Sequence, residues 1–306
     1  MLLQKMMSMD NFKSGFIAVI GRSNVGKSTL INQILKSHFL IVSPKTQTTR
    51  NKIKGIYTTD EAQIIFIDTP GFHKSNSKLG DVMNEYAMDS MDGVDLILLV
   101  VDGSTVCGKG DEYVMSLLPK NIPAILILNK VDLVKNQDVL MKNIATYREK
   151  HDFKSGITIS ATNDFNIDEL LKMIIDNLPY GPKYYPEDQA LDLSMRFVAS
   201  EIIREKILLL TKEEVPYSVA VVIDNYKEND QMIEVSATII CERPSQKKII
   251  IGAGGNMIKQ IGHDARLDLK KMLDKNVYLE LFVKVEDDWR NKKHYLKEYG
   301  YDNDKK

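Results

Sequence analysis

Eight consecutive residues, Gly21-Arg22-Ser23-Asn24-Val25-Gly26-Lys27-Ser28, follow a short apolar run and precede an amphipathic one. Glycines at the first and sixth positions let successive backbone N–H groups turn toward an anion, and a helix starting at the far end adds the positive pole of its dipole. Lys27 would reach the β and γ phosphates, and the Ser28 hydroxyl would ligate Mg²⁺. The chemistry is nucleotide phosphate binding.

Three further segments specify the base and the fate of the phosphate. Asn129-Lys130-Val131-Asp132 follows the apolar run Ala124 to Leu128. The Asp132 carboxylate can accept hydrogen bonds from N1–H and the 2-amino group of guanine. Adenine has neither donor, and the unpaired carboxylate would reject it by several kcal/mol. Asn129 is expected to support the loop and the purine edge, the Lys130 stem to cover the ring, and Ser160-Ala161 to offer a backbone N–H to guanine O6. In Asp68-Thr69-Pro70-Gly71-Phe72, Asp68 fits the magnesium shell through water, and the Gly71 N–H can meet the γ-phosphate, so that hydrolysis releases the following segment. Gln47-Thr48-Thr49-Arg50 supplies the other switch. Either threonine can close over Mg²⁺, and Thr49 is favoured.

These residues need a scaffold that brings strand ends together. Apolar runs at Phe16 to Ile20, Gln63 to Ile67, Asp95 to Val101, Ala124 to Leu128 and Ile157 to Ile159 alternate with amphipathic stretches, which predicts an α/β domain with a mostly parallel sheet. The stretch 178–188, with Pro179, Gly181, Pro182 and Pro186, interrupts both helix and strand. The expected divisions are an N-terminal extension at 1–13, a nucleotide domain at 14–180, a linker at 181–192, a smaller α+β domain at 193–288 and a C-terminal tail at 289–306, charged and mobile from Asp302.

The smaller domain reads as helix, two strands, two helices and a strand, with Gly252-Ala253-Gly254-Gly255 between its second and third helices. That order with a GxxG loop is the type II KH arrangement, in which the loop clamps the backbone of about four single-stranded nucleotides. The whole chain is nearly neutral, 41 Lys plus Arg against 42 Asp plus Glu, so any field attracting nucleic acid must be local. It is local: residues 245–297 hold 12 Lys plus Arg against 7 Asp plus Glu. Lys247, Lys248 and Lys259 flank the loop and are the expected phosphate contacts, and Arg266 is a further candidate. Trp289 is expected to pack the C-terminal segment, in preference to stacking on a base. Cys107 and Cys241 lie far apart without metal-ligand spacing, which suits reduced thiols in the cytoplasm, and the chain shows neither an apolar span nor a signal peptide. A small-molecule kinase would need an acceptor site and lid, and the NKVD segment opposes it. A scaffolding GTPase would use the second domain to hold a protein.

Taken together, GRSNVGKS, QTTR, DTPGFH, NKVD, ISA, YYPED, RFVASEIIREK, EVPYSV and IIIGAGGNMIKQIG resemble the Era family of bacterial ribosome-assembly GTPases over essentially the whole chain. The resemblance implies GTP binding and hydrolysis to GDP with Mg²⁺, binding near the 3′ end of 16S ribosomal RNA, assistance to 30S subunit maturation, a monomer, and peripheral association with the inner face of the cell membrane. Phe72 stands where many regulatory GTPases carry a water-orienting glutamine. The family shares that substitution, which implies slow intrinsic hydrolysis and leaves no residue assigned as general base. In related GTPases an asparagine at the position of Asn24 helps bind a potassium ion, which motivates an expectation of potassium-stimulated turnover. One departure is Ala253, where family members often carry a basic residue.

Overall fold

In the computed structural model the described residues are 11–301; most of the expected N-terminal extension and the residues from Asp302 onward lie outside them. By their contacts the residues divide into two compact units. The first comprises the chain up to Leu40, Thr49–Lys74 and Met83–Asp192; the second comprises Ile41–Thr48, Ser75–Val82 and the chain from Leu193.

The first unit is built on a six-stranded sheet of order β2-β3-β1-β4-β5-β6, with β1 at Lys13–Ile20, β2 at Ile53–Thr58, β3 at Ala62–Asp68, β4 at Leu96–Asp102, β5 at Ala124–Asn129 and β6 at Ser155–Thr158. All neighbours run parallel except β2 and β3. β3 and β5 are buried along their entire length because helices cover both faces, which is why they read as unbroken apolar runs rather than alternating ones. β2 was not expected from the sequence. It is a half-exposed antiparallel edge strand interrupted by Gly55, so its hydrophobic signal is weak. Parallel register aligns Val19 with Asp68 and Asp102 with Asn129, gathering the C-terminal strand ends on one edge, where α/β sheets bind ligands. The helices are α1 at Lys27–Leu35, α2 at Lys78–Asp89, whose residues from Met83 belong to this unit, α3 at Lys109–Ser116, α4 at Gln137–Lys150 and α5 at Ile167–Asn177.

The residues expected as a linker, 181–192, are fastened to the first unit. The Gln63 side chain donates to the Tyr185 carbonyl at 2.9 Å and accepts from the Tyr184 and Tyr185 N–H groups at 2.7 and 3.0 Å, while Leu191 bridges to Gly55. The prolines do break helix and strand, but side chains satisfy the freed backbone.

The second unit follows the order α6 (Met195–Leu210), β7 (Ala220–Glu228), β8 (Met232–Cys241), α7 (Pro244–Ile251), α8 (Asn256–Leu273) and β9 (Asn276–Val285), with α9 (Lys293–Glu298) after it. β8 is central, antiparallel to β7 and parallel to β9, as an αββααβ order requires. Residues 289–301, expected as a tail, are part of this fold. Trp289 is fully buried, donates Nε1–H to the Ser218 carbonyl at 2.9 Å, and lies 5.6 and 5.9 Å from the rings of Tyr299 and Tyr301. One large aromatic with its polar edge satisfied organises the segment. Segment 41–48 joins the same unit through α6. Glu205 Oε1 accepts from the Val42 N–H at 3.1 Å, the Lys45 ammonium donates to the Leu208 and Thr211 carbonyls at the helix C-terminus, and the buried Arg204 guanidinium donates to the Thr48 carbonyl. A cation there meets the negative pole of the helix dipole.

Candidate functional site

The turn from β1 into α1 places Gly21 to Ser28 at the gathered strand ends. Gly26 caps α1 with φ 99°, and a Cβ on it would lie 2.2 Å from Asn129 Nδ2, so only glycine fits. Lys27 is buried and donates to the Gly21 and Arg22 carbonyls at 3.3 and 3.0 Å. Burial pulls its pKa down to about 8, against the opposing charge of Asp68. An ammonium held dry at the mouth of such a loop is poised to gain from an anion.

Three oxygens converge beside it. Ser28 Oγ is 2.8 Å from Thr49 Oγ1 and donates to Asp68 Oδ2 at 2.8 Å, and Thr49 Oγ1 donates to the same oxygen at 3.2 Å. Asp68 is fully buried, and among the described residues its Oδ1 has no hydrogen-bond partner. Burial raises its carboxyl pKa, opposed by Lys27 and the hydrogen bonds from Ser28, Thr49 and the Thr69 N–H. Two hydroxyls and a carboxylate with one orphaned oxygen form a hard donor set that fits Mg²⁺ shared with phosphates. Thr49 is the threonine brought to this cluster; Thr48 Oγ1 instead donates to the Lys45 carbonyl at 2.7 Å. Arg50, also expected in this switch, is fully buried.

Beyond Asp68, the buried Thr69 hydroxyl donates to the Val19 carbonyl at 2.9 Å, and Pro70 leads into Gly71, which presses on the phosphate loop. A Cβ at Gly71 would lie 2.5 Å from both N and Cα of Ser23, and Ser23 Oγ donates to the Gly71 carbonyl at 3.4 Å. The Phe72 N–H donates to the Gly21 carbonyl at 3.2 Å, while its buried ring lies edge-on to Tyr113 at 6.4 Å. Phe72 therefore packs into the core and offers no proton-transfer group.

The base side is cross-braced. Asn129, 2% exposed, donates Nδ2–H to the Val25 carbonyl at 2.9 Å and accepts the Ala161 N–H at 3.0 Å, tying the phosphate loop to both base-side segments. The Lys130 ammonium donates to the Asn24 carbonyl at 2.6 Å and to Asp102 at 2.7 Å, which lays its stem across the site. Asp132 Oδ1 accepts from Ser160 Oγ at 2.6 Å, an orientation that leaves the carboxylate open on its other edge. Sequence reasoning missed Asp102. Burial works to raise its pKa, but hydrogen bonds from Lys130 and Ser104 hold it below the usual carboxylate range. Its position at the end of a buried apolar strand, before Gly103 and Ser104, was the available signal.

In the second unit Gly252, Gly254 and Gly255 all have positive φ, at 75°, 59° and 78°, and Ala253 sits between them without that requirement. Ala253 and Gly254 are exposed, as are Lys248 and Lys259, with Lys247 half-buried beside them. None of these lysines makes an ion pair among the described residues. Open backbone next to free ammonium groups can receive a phosphodiester chain.

A family model described as a 50S ribosome-binding GTPase matches residues 16–130, and one described as a KH domain matches 214–290. The GTPase Era of Staphylococcus haemolyticus (strain JCSC1435) is 48% identical over 296 residues, 96% of this chain and 98% of that protein. The chain belongs to the Era family of GTPases. Two solved Era structures are also similar, each with a TM-score of 0.91 and 40% identity, covering 95% of this chain and 99% of theirs. One holds MgGDPNP and nucleotides 1506–1542 of 16S ribosomal RNA; the other is a point variant of Aquifex aeolicus Era with GDP and AlF4⁻. This Era-family GTPase accordingly uses GTP and GDP with Mg²⁺ and carries a KH domain after its P-loop domain. Among its described residues no helix is long and apolar enough to cross a membrane.

Proposed function

We propose that the chain is a GTP-hydrolysing switch that binds 16S ribosomal RNA near its 3′ end and assists assembly of the 30S subunit. The observation that carries this reading is the pairing, in one chain, of a braced guanine-nucleotide site with an open, lysine-flanked GxxG loop, in a family whose member has been captured with MgGDPNP and 16S RNA together.

In this reading the backbone of residues 21–28 and the Lys27 ammonium hold the phosphates, and Ser28, Thr49 and, through water, Asp68 hold Mg²⁺. Asp132 reads guanine, with Asn129, Lys130, Ser160 and Ala161 shaping its pocket. Gly71 senses the γ-phosphate. Asn24 offers a potassium ion a ligand at the phosphate loop, supplying positive charge where Phe72 supplies none. Gly252 to Gly255 clamp the RNA backbone, and Lys247, Lys248 and Lys259 supply the salt-sensitive part of the affinity. The place of action follows from these partners and is the cytoplasm. The membrane contact that the resemblance implies would have to be peripheral.

Crosslinking with sequencing in cells tests this, comparing wild type with a Gly254→Asp/Gly255→Asp variant. A Cβ at Gly254 meets nothing within 4 Å, and one at Gly255 meets only the Lys259 stem at 4.0 Å, so the aspartate side chains find room, while the positive φ at both positions strains the loop locally and the variant's melting temperature is measured alongside. The expected result is wild-type crosslinks at the 3′ end of 16S RNA that disappear in the variant while GTP turnover persists. Crosslinks retained by the variant, or falling elsewhere in the transcriptome, would refute the reading.

A further inference from the structure

The helix α3 touches both residues of an isolated bridge that joins the phosphate loop to the second switch. That bridge pairs Arg22 with Phe72 in parallel fashion, closed by the hydrogen bond from the Phe72 N–H to the Gly21 carbonyl. From α3, Asp111 Oδ2 accepts from the Arg22 guanidinium at 3.1 Å, and two residues later the Tyr113 ring meets Phe72 edge-on, with an interplanar angle of 87°. Asp111 is 6% exposed and Arg22 46%, so the contact is anchored on the helix side and reached from the loop side. The same Asp111 oxygen accepts the Gly108 N–H at 3.0 Å, which fixes it within the first turn of α3. Between the two lies Gly110. A Cβ there would stand 2.8 Å from Arg22 Nε and 3.1 Å from Cδ, so the arginine stem lies directly over the space that glycine leaves empty.

We propose that Asp111 is a positioning residue for GTP hydrolysis, acting through Arg22. It draws the Arg22 side chain onto α3 over Gly110 and thereby fixes the pitch of the phosphate loop at the point where Phe72 and Gly71 pair with it. Gly71 already stands against Ser23 with no room for a Cβ, so a small rotation of the loop at Arg22 moves the Gly71 N–H relative to the γ-phosphate. GDP lacks that phosphate; Lys27 meets Arg22 only at its main-chain carbonyl, and Asp132 lies outside the loop, so neither contact runs through the Arg22 side chain. The strut therefore acts on turnover and leaves diphosphate binding alone. The proposal rests on the reading of this chain as a GTP hydrolase.

The test is steady-state GTP turnover, GDP affinity by fluorescence titration and melting temperature, measured on the full chain for Asp111→Asn, Asp111→Glu, Gly110→Ala, Arg22→Ala and the Arg22→Ala/Asp111→Asn pair. Asparagine keeps an oxygen for the Gly108 N–H and removes only the charge. Gly110→Ala leaves Asp111 intact and improves helix propensity while pushing Arg22 aside. The expected result is a fall in kcat of about tenfold for Asp111→Asn and for Gly110→Ala, with GDP affinity within about twofold of wild type. Gly110→Ala should lose turnover without losing melting temperature. Glutamate should restore most of the rate, and the double variant should be no slower than the slower single one, because both act on the same Arg22–Asp111 contact. Unchanged kcat in Asp111→Asn and Gly110→Ala, losses that multiply in the pair, or a loss that tracks melting temperature would overturn the positioning role. A wild type that does not hydrolyse GTP would instead overturn the functional reading beneath it.

Discussion

Asn129 makes a demanding test of how the nucleotide site is held together. Its amide donates to the Val25 carbonyl in the phosphate loop and accepts from the Ala161 N–H in the base-side loop, at 2.9 and 3.0 Å in a position 2% exposed. Asn129→Ala would strand one buried carbonyl and one buried N–H, each costing about 1 to 3 kcal/mol before relaxation. Water entering the vacated space would recover part of this, so about 3 kcal/mol in all is the expected loss. Because one partner lies in the phosphate loop and the other in the base-side segment, much of that loss should appear in binding: a drop in GDP affinity of about 30-fold to 150-fold corresponds to roughly 2 to 3 kcal/mol. Titration with a fluorescent GDP analogue gives the affinity, and urea denaturation without nucleotide gives the remainder. Asn129→Asp separates the two bonds, since it keeps the acceptor for Ala161 but turns an oxygen toward the Val25 carbonyl, and it should be at least as damaging as alanine. A stability loss with unchanged GDP affinity, or a neutral Asn129→Asp, would refute the bracing argument.

Asp132→Asn should lower GTP affinity by at least about a hundredfold and favour xanthosine triphosphate, because two charge-assisted hydrogen bonds are exchanged for one matched amide contact; competition between the two nucleotides decides it, and unchanged GTP affinity would sink the base-reading assignment. Lys27 has a folded-state pKa of about 8 against 10.5 for the free side chain, so the unfolded chain binds more protons between those values and stability of the nucleotide-free protein should rise with pH across that window, by at most about 3 kcal/mol. Denaturation midpoints at pH 7.5 and 9.5 should diverge less in Lys27→Met; parallel behaviour of the two proteins would count against the buried charge. Turnover at saturating GTP and Mg²⁺ should be faster in potassium than in sodium, and Asn24→Ala should remove the difference; equal rates in both salts would discard the potassium site.

The legible parts of this molecule were those where a short segment carries its own chemistry. The phosphate loop, the base-reading loop and the GxxG turn need particular residues at fixed spacing within one turn, and each lies where its flanking elements were expected. Strands β4 and β5 were legible because burial on both faces makes them uniformly apolar. β2 was not, since an edge strand shares its alternating pattern with loops and is defined by the partner it pairs with. The same holds for 181–192 and 289–301. Prolines and charges there suggest a linker and a tail; Gln63 supplies partners that local composition does not reveal, while Trp289 packs the C-terminal segment as expected. Asp102 and Asp111 were invisible for a related reason: each is an ordinary carboxylate until the fold sets it against Lys130 or Arg22.

These long-range partners bear on what the site can do. A phosphate loop by itself dictates affinity for phosphates, but here its backbone is held from both sides: Asn129 grips the Val25 carbonyl, Lys130 grips the Asn24 carbonyl, and Asp111 grips the Arg22 side chain. The first two braces come from the 129–132 segment proposed to read the base, so its position and that of the phosphate loop are coupled. The third comes from a helix that also touches the switch phenylalanine. The loop is held by contacts within the protein, and the switch residue Phe72 lies in the core, leaving intrinsic hydrolysis without a water-orienting side chain from that position. On the proposed reading, faster turnover draws on charge or positioning from elsewhere, by a monovalent cation beside Asn24 or by a bound partner.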